Sequence, residues 1–176
     1  MRMAPLALLL PLMACAAPER PPLVGAVVVA PPAPPQRFEV PDNLPPQECV
    51  SYARQVSGIR IFGDAWTWWD GAPAAHYERG EAPQLGAVLV LRKTRSLFHG
   101  HVAVVVQLLG PREILVSHAN WGNGWAIPGV IYSDMRVGDE SPLNDWTAVR
   151  FWNAKASAFG RIYPAYGFVY RSAGAA

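Results

Sequence analysis

Cys49 opens the stretch Cys49-Val50-Ser51-Tyr52-Ala53-Arg54-Gln55, which follows Pro45, Pro46, Gln47 and Glu48. Cys49, Tyr52, Ala53 and Val56 recur at i, i+3, i+4 and i+7, which predicts one face of a helix that stops at Gly58. A cysteine in the first turn of a helix feels the positive end of the helix dipole. That favours the thiolate, the nucleophilic form of the side chain. The competing reading is a small apolar residue packed in a core. A second group of residues suits a base. His101 begins the β-branched run His101–Leu108, and His118 and Asn120 end the run Glu113–Asn120. The turn between the runs, Leu109-Gly110-Pro111-Arg112, predicts an antiparallel hairpin. With the turn centred between Gly110 and Pro111, opposite residues have numbers summing to 221. His101 then faces Asn120, and His118 faces Ala103, diagonal to His101. Period-two alternation keeps His118 and Asn120 on one face. An error of one residue in register would put His101 on the other face. The alternative is a satisfied polar patch at the end of a sheet.

These residues need a scaffold, and the 176-residue chain is long enough for one domain with extensions. A hydrophobic fraction of 51%, with seven tryptophans, six tyrosines and six phenylalanines, suffices for a core. A net charge of +2 without a basic run gives no reason to expect nucleic-acid binding. After the Cys49 helix, Asp64 is an expected N-cap. Ala65, Trp68, Trp69 and Ala72 repeat at helical spacing, with the tryptophans read mainly as core. His76 is expected at the surface. Ala87–Leu91 is a short apolar strand, and Arg92–His99 a basic loop. Val130–Met135, Thr147–Phe151 and Gly167–Tyr170 are further candidate strands. Trp121, Trp125, Trp146, Trp152 and Tyr166 divide between core and candidate aromatic walls, and Gly122-Asn123-Gly124 reads as a loop beside the site.

The first residues read as a targeting segment. Met1-Arg2-Met3 gives a short basic start, and the apolar run Ala4–Met13 is too short to span a bilayer. It ends in Leu12-Met13-Ala14-Cys15, which resembles the lipobox of bacterial lipoproteins. That resemblance implies lipidation of Cys15 and outer-membrane sorting; a plain secretory signal is the alternative. Residues 16–46 hold ten of the eighteen prolines and read as an extended tether, with Leu23–Ala30 an apolar island in it. The expected organisation is a signal peptide over 1–14, a Pro-rich tether over 15–42 and a catalytic domain over 43–176. With Cys15 acylated or removed, Cys49 is an unpaired thiol in an oxidising compartment, which favours a reactive role. A Cys15–Cys49 disulfide is the competing account.

Cys49-Val50-Ser51-Tyr52-Ala53-Arg54, Asp64-Ala65-Trp66-Thr67-Trp68-Trp69, Pro83-Gln84-Leu85-Gly86-Ala87-Val88-Leu89-Val90, Gly100-His101-Val102-Ala103-Val104-Val105 and Val116-Ser117-His118-Ala119-Asn120-Trp121 together, in this order, resemble the CHAP domain, a cysteine, histidine-dependent amidohydrolase/peptidase. The resemblance covers roughly residues 43 to 155. It implies an α+β, papain-like fold akin to the NlpC/P60 group, with N-terminal helices packed on an antiparallel β-sheet. It also implies cleavage of amide bonds in bacterial peptidoglycan. Carried over, Cys49 is the nucleophile and His101 the general base. His118 stands where many CHAP domains have a glutamate and is expected to orient His101, as a second histidine does in NlpC/P60 relatives, with Asn120 assisting. The backbone N–H of Cys49 is the first expected oxyanion donor, with Tyr52 or Gln47 a candidate second.

The function expected is a peptidoglycan hydrolase, either an N-acetylmuramoyl-L-alanine amidase or a cross-link endopeptidase. It would be held to the membrane by a lipid on Cys15 and act as a monomer without cofactor or metal. The alternative of another class is a non-catalytic wall-binding lipoprotein that keeps the fold. Amide hydrolysis of a small molecule is a third reading, disfavoured by the export signal.

Overall fold

The computed structural model describes residues 35–122 and 128–171. The signal segment, Cys15 and the apolar island Leu23–Ala30 lie outside the described residues, as do Asn123, Gly124 and Trp125. The described elements run α1 (Cys49–Ser57), a 3-10 turn (Ala65–Thr67), α2 (Trp68–Ala74), β1 (Arg79–Gly80), β2 (Val88–Leu91), β3 (His101–Gly110), β4 (Glu113–Ala119), β5 (Ile131–Asp139), β6 (Ala148–Asn153) and β7 (Ala158–Val169).

All strand pairs are antiparallel. From β2 to β6 each strand pairs with the next, and β7 pairs with both β6 and β2. The closure rests on the length of β7. Its first half, Ala158–Pro164, pairs with β6, and its second half, Ala165–Val169, pairs with β2. Two-residue β1 is an appendage on β7. Gly167 (φ 126°) is needed at that junction, because a Cβ there would meet Gly80 O at 2.6 Å.

This corrects the expected fold class. The fold is mostly β: six antiparallel strands closed into a barrel, with only two short α-helices of nine and seven residues among the described residues. It is not an α+β papain-like arrangement of helices on an open sheet. Closure removes sheet edges that an open sheet must otherwise protect.

The barrel explains why β2 and residues Val102–Val106 of β3 are apolar without alternation and buried. One face looks into the barrel. Leu89, Leu91, Ala103, Val105, Ile114, Val116, Val137, Val149, Phe151, Ala165 and Phe168 make one cluster there. The other face is covered by the helices: Val88, Val90, Val102, Val104 and Ala119 pack with Tyr52, Ala53, Val56 and Trp68. Each such buried Val, Leu or Ile side chain contributes ~1.5–3 kcal/mol relative to exposure. Within the stretch read as tether, the Phe38 N–H donates to Val106 O at 2.8 Å, and Phe38 and Val40 pack on the helix-side cluster.

The helices follow their sequence signals, with one difference. Gly58 ends α1 in the left-handed conformation (φ 77°). Asp64, expected as an N-cap, makes no capping bond. Its carboxylate meets His99 Nδ1 at 3.0 Å and accepts from Trp66 Nε1 at 3.3 Å. This carboxylate ties the 3-10 turn to the loop before His101. Gly100 (φ 67°) completes that junction, where a Cβ would meet Trp66 N at 2.7 Å. His76 is exposed, as expected.

Candidate functional site

The hairpin register at the site end follows the sum of 221, although the turn does not. Val104 pairs with Ser117 and Val105 with Val116, whereas Gly110 pairs with Glu113, so the turn is Pro111-Arg112. Two irregularities in β3, at Val105/Gln107 and Leu108/Gly110, absorb the difference. His101 and His118 therefore share the inward face. His101 Nε2 lies 2.8 Å from His118 Nδ1, with the rings edge to face at 5.0 Å.

Both rings are buried, His101 at 2% exposure and His118 at 0%. Trp121 covers them, 4.7 Å from the His101 ring and 5.5 Å from the His118 ring, and itself stacks on Phe151 at 4.5 Å. Tyr132 and Phe151 flank His118, each at 5.6 Å. Burial pushes His101 from an ordinary 6.5 down to about 3. It holds His118 well below its ordinary value too, and a charge on His101 would lower it further. The pair rests uncharged, with His101 Nδ1 free of any hydrogen bond among the described residues.

Cys49 is half-buried and unpaired by any disulfide. Its sulfur faces the backbone N–H of Val102, the residue after His101, and those of Val50 and Cys49 itself. These favour the thiolate. Burial outweighs them, the neighbouring Glu48 carboxylate adds to it, and the thiol is pushed up to about 11. Among the described residues no hydrogen bond joins the thiol to His101, so the resting pair is thiol and neutral imidazole rather than an ion pair.

Asn120 goes elsewhere. Strand β4 ends at Ala119, and Asn120 turns left-handed (φ 56°), which breaks the alternation that would have kept it beside His118. Its amide Nδ2 donates to Glu48 Oε2 at 2.5 Å, and its Oδ1 accepts from the Gly129 N–H at 3.0 Å. The Gln47 N–H in turn donates to Gly129 O at 3.0 Å. Asn120 thus pins the start of α1 and the residue-129 loop, and it makes no hydrogen bond to His101. Neither candidate second oxyanion donor points to the thiol through a hydrogen bond: Tyr52 Oη pairs with Ser117 Oγ at 2.5 Å, and Gln47 Nε2 donates to Gln55 Oε1 at 3.1 Å. Of the candidate aromatic walls, Trp121 covers the histidines and Trp146 is core at 1% exposure. Trp152 meets Phe159, and Tyr166 stacks on Trp69.

Sequence reasoning missed Met135 and Glu48. Met135 Sδ lies 3.3 Å from His118 Nε2. The signal for Glu48 was its place beside Cys49. Met135 had none, because an irregular pairing between β4 and β5 brings it there. No group of three or more His, Cys, Asp or Glu able to hold a metal occurs among the described residues.

A search of the curated proteins finds no match to the chain. The family model of the CHAP domain matches residues 40–120, from the segment before α1 to the end of the β4 motif, and thus includes Cys49, His101, His118 and Asn120. That family consists generally of hydrolytic, cysteine- and histidine-dependent amidohydrolases and peptidases. Residues 40–120 of this chain match the CHAP domain, and strands β5 to β7, beyond the match, close the barrel.

Proposed function

We propose that the protein is a peptidoglycan hydrolase in which Cys49 attacks an amide carbonyl and His101 takes the thiol proton. The observation that carries the reading is the buried His101–His118 hydrogen bond, which leaves His101 Nδ1 unengaged, one residue from the backbone N–H that faces Cys49 Sγ. The resting acidities constrain the order of events. A thiol near 11 and an imidazole near 3 differ by roughly 8 units. Burial therefore disfavours the separated ions on both sides. In this reading proton transfer accompanies carbon–sulfur bond formation rather than preceding it. The tetrahedral oxyanion is received by the Cys49 N–H and the helix dipole. His101 then gives the proton to the leaving amine, and water releases the acyl-enzyme.

The test is mass analysis of purified sacculi after digestion. Freed stem peptides identify an N-acetylmuramoyl-L-alanine amidase, and cut cross-links an endopeptidase. Sacculi that bind the protein but stay intact would leave only a wall-binding role.

We also propose that residues 1–14 are a signal peptide, that Cys15 is the lipidated anchor of an outer-membrane protein facing the periplasm, and that the tether from Cys15 ends before Arg37 and Phe38, which pair with β3. Among the described residues no helix is long and apolar enough to cross a membrane. The expected result of Cys15→Ser is loss of fatty-acid label and release from the membrane fraction. Wild-type protein that takes up no label would overturn the anchor and leave a soluble exported enzyme.

A further inference from the structure

The two-histidine pair has two neutral arrangements, and only one leaves a base. In the first, His118 carries its proton on Nε2, His118 Nδ1 accepts from His101 Nε2–H, and His101 Nδ1 holds a lone pair. In the second, His118 carries its proton on Nδ1 and donates to His101 Nε2. The His101 proton must then sit on Nδ1, where a base is needed. The hydrogen bond between the rings, 2.8 Å long, is the same in both.

The choice is made on the far side of His118. Its Nε2 has one partner among the described residues, Met135 Sδ at 3.3 Å. A thioether has no proton to give and only accepts, so Nε2 must carry the proton to make that bond. Among the described residues, the rings of Trp121, Tyr132 and Phe151 also pack around His118, without a hydrogen bond to Nε2. The backbone shows how the sulfur gets there. Strand β5 pairs Met135 with Val116 but Tyr132 with His118, a register shift that accommodates an extra residue near Asp134. Asp134 takes a left-handed conformation (φ 56°), as a bulge requires. The bulge puts Met135 on the inward face, with the core cluster and His118.

We infer that Met135 is a positioning residue: its thioether selects the tautomer of His118 and thereby keeps His101 Nδ1 available as the base. The inference rests on the reading of Cys49 and His101 as nucleophile and base, but its main test does not need turnover. Ring nitrogen NMR on histidine-labelled wild-type protein is expected to find both buried rings protonated on Nε2 alone. In Met135→Leu, which keeps the volume and removes the acceptor, a population protonated on Nδ1 is expected. Its kcat should fall about three- to tenfold at constant KM, the size of one neutral hydrogen bond. Met135→Gln, whose amide oxygen accepts at similar reach, is expected to restore both. A wild-type His101 ring protonated on Nδ1 overturns the inference, as does a leucine variant with unchanged tautomers. A tautomer change without a fall in kcat removes its bearing on the reaction. The expected tautomers in a protein that leaves sacculi intact would instead overturn the hydrolase reading and leave the Met135 assignment standing.

Discussion

Cys49→Ala is expected to abolish release of peptidoglycan fragments, and His101→Ala to lower kcat by ~10²–10⁴-fold, the usual worth of a general acid–base group. The two losses should not add, because each removes the same proton-coupled attack. The His101 variant carries a second signature. In the wild type, a histidine held near 3 in the fold and near 6.5 when unfolded takes up its proton only on unfolding across that interval. The unfolded state binds more protons, so stability is intact above about pH 6.5 and is lost as the pH falls toward about 3. At about 1.36 kcal/mol per unit this one ring withdraws up to ~5 kcal/mol, against a typical total of ~5–15 kcal/mol. His118 acts in the same direction. Wild-type activity is therefore expected to fail in acid by unfolding before the native base titrates. Urea unfolding followed at pH 7 and pH 5 should give a lower midpoint at pH 5 for wild type and a smaller drop for His101→Ala. Equal drops would mean that the ring is not held uncharged by burial. The alkaline side has the opposite origin: a thiol near 11 in the fold and near 9 unfolded ionises more readily on unfolding, so stability declines above about pH 9.

The parts of the site that depend on local pattern were legible, and the parts that depend on interrupted pattern were not. Helix α1 and its Gly58 stop follow from apolar spacing and a left-handed glycine. The diagonal placing of His101 and His118 follows from alternation. That agreement has a particular cause: the turn lies one residue further on than Gly110–Pro111, and two irregularities in β3 restore the same sum at the site end. Asn120 could not be placed by alternation, because its left-handed backbone ends the strand just before it. Met135 arrives through a bulge that leaves no periodic mark. The closed barrel was illegible for a similar reason. Its closing strand contains Gly160, Pro164 and Gly167, residues that break a strand pattern, so only its last residues read as β. Yet Pro164 is tolerated there, where β7 leaves β6 for β2, and its carbonyl accepts from the Arg92 N–H at 2.9 Å.

His118→Ala should lower kcat with little change in KM, by less than loss of His101 itself, because orientation of the base counts mainly in the transition state. The physical reason is the hydrogen bond at 2.8 Å: as His101 becomes imidazolium, its Nε2–H must be accepted inside an apolar cage, and His118 Nδ1 is the acceptor there. Asn120→Ala is the necessary comparison, and the geometry separates the two. Loss of Asn120 frees Glu48 and the Gly129 loop, so its effect should fall on KM and stability, with the pH profile of kcat unchanged. His118→Glu is expected to keep substantial activity, since a carboxylate accepts the same proton. It should also raise the His101 pKa by direct attraction, read by NMR titration of the ring rather than from the acid limb of activity. It should be less stable than wild type, because a carboxylate replaces a neutral ring among Trp121, Tyr132 and Phe151. A His118→Ala enzyme with wild-type kcat, beside an Asn120→Ala enzyme crippled in kcat, would remove His118 from the mechanism and put the amide in its place.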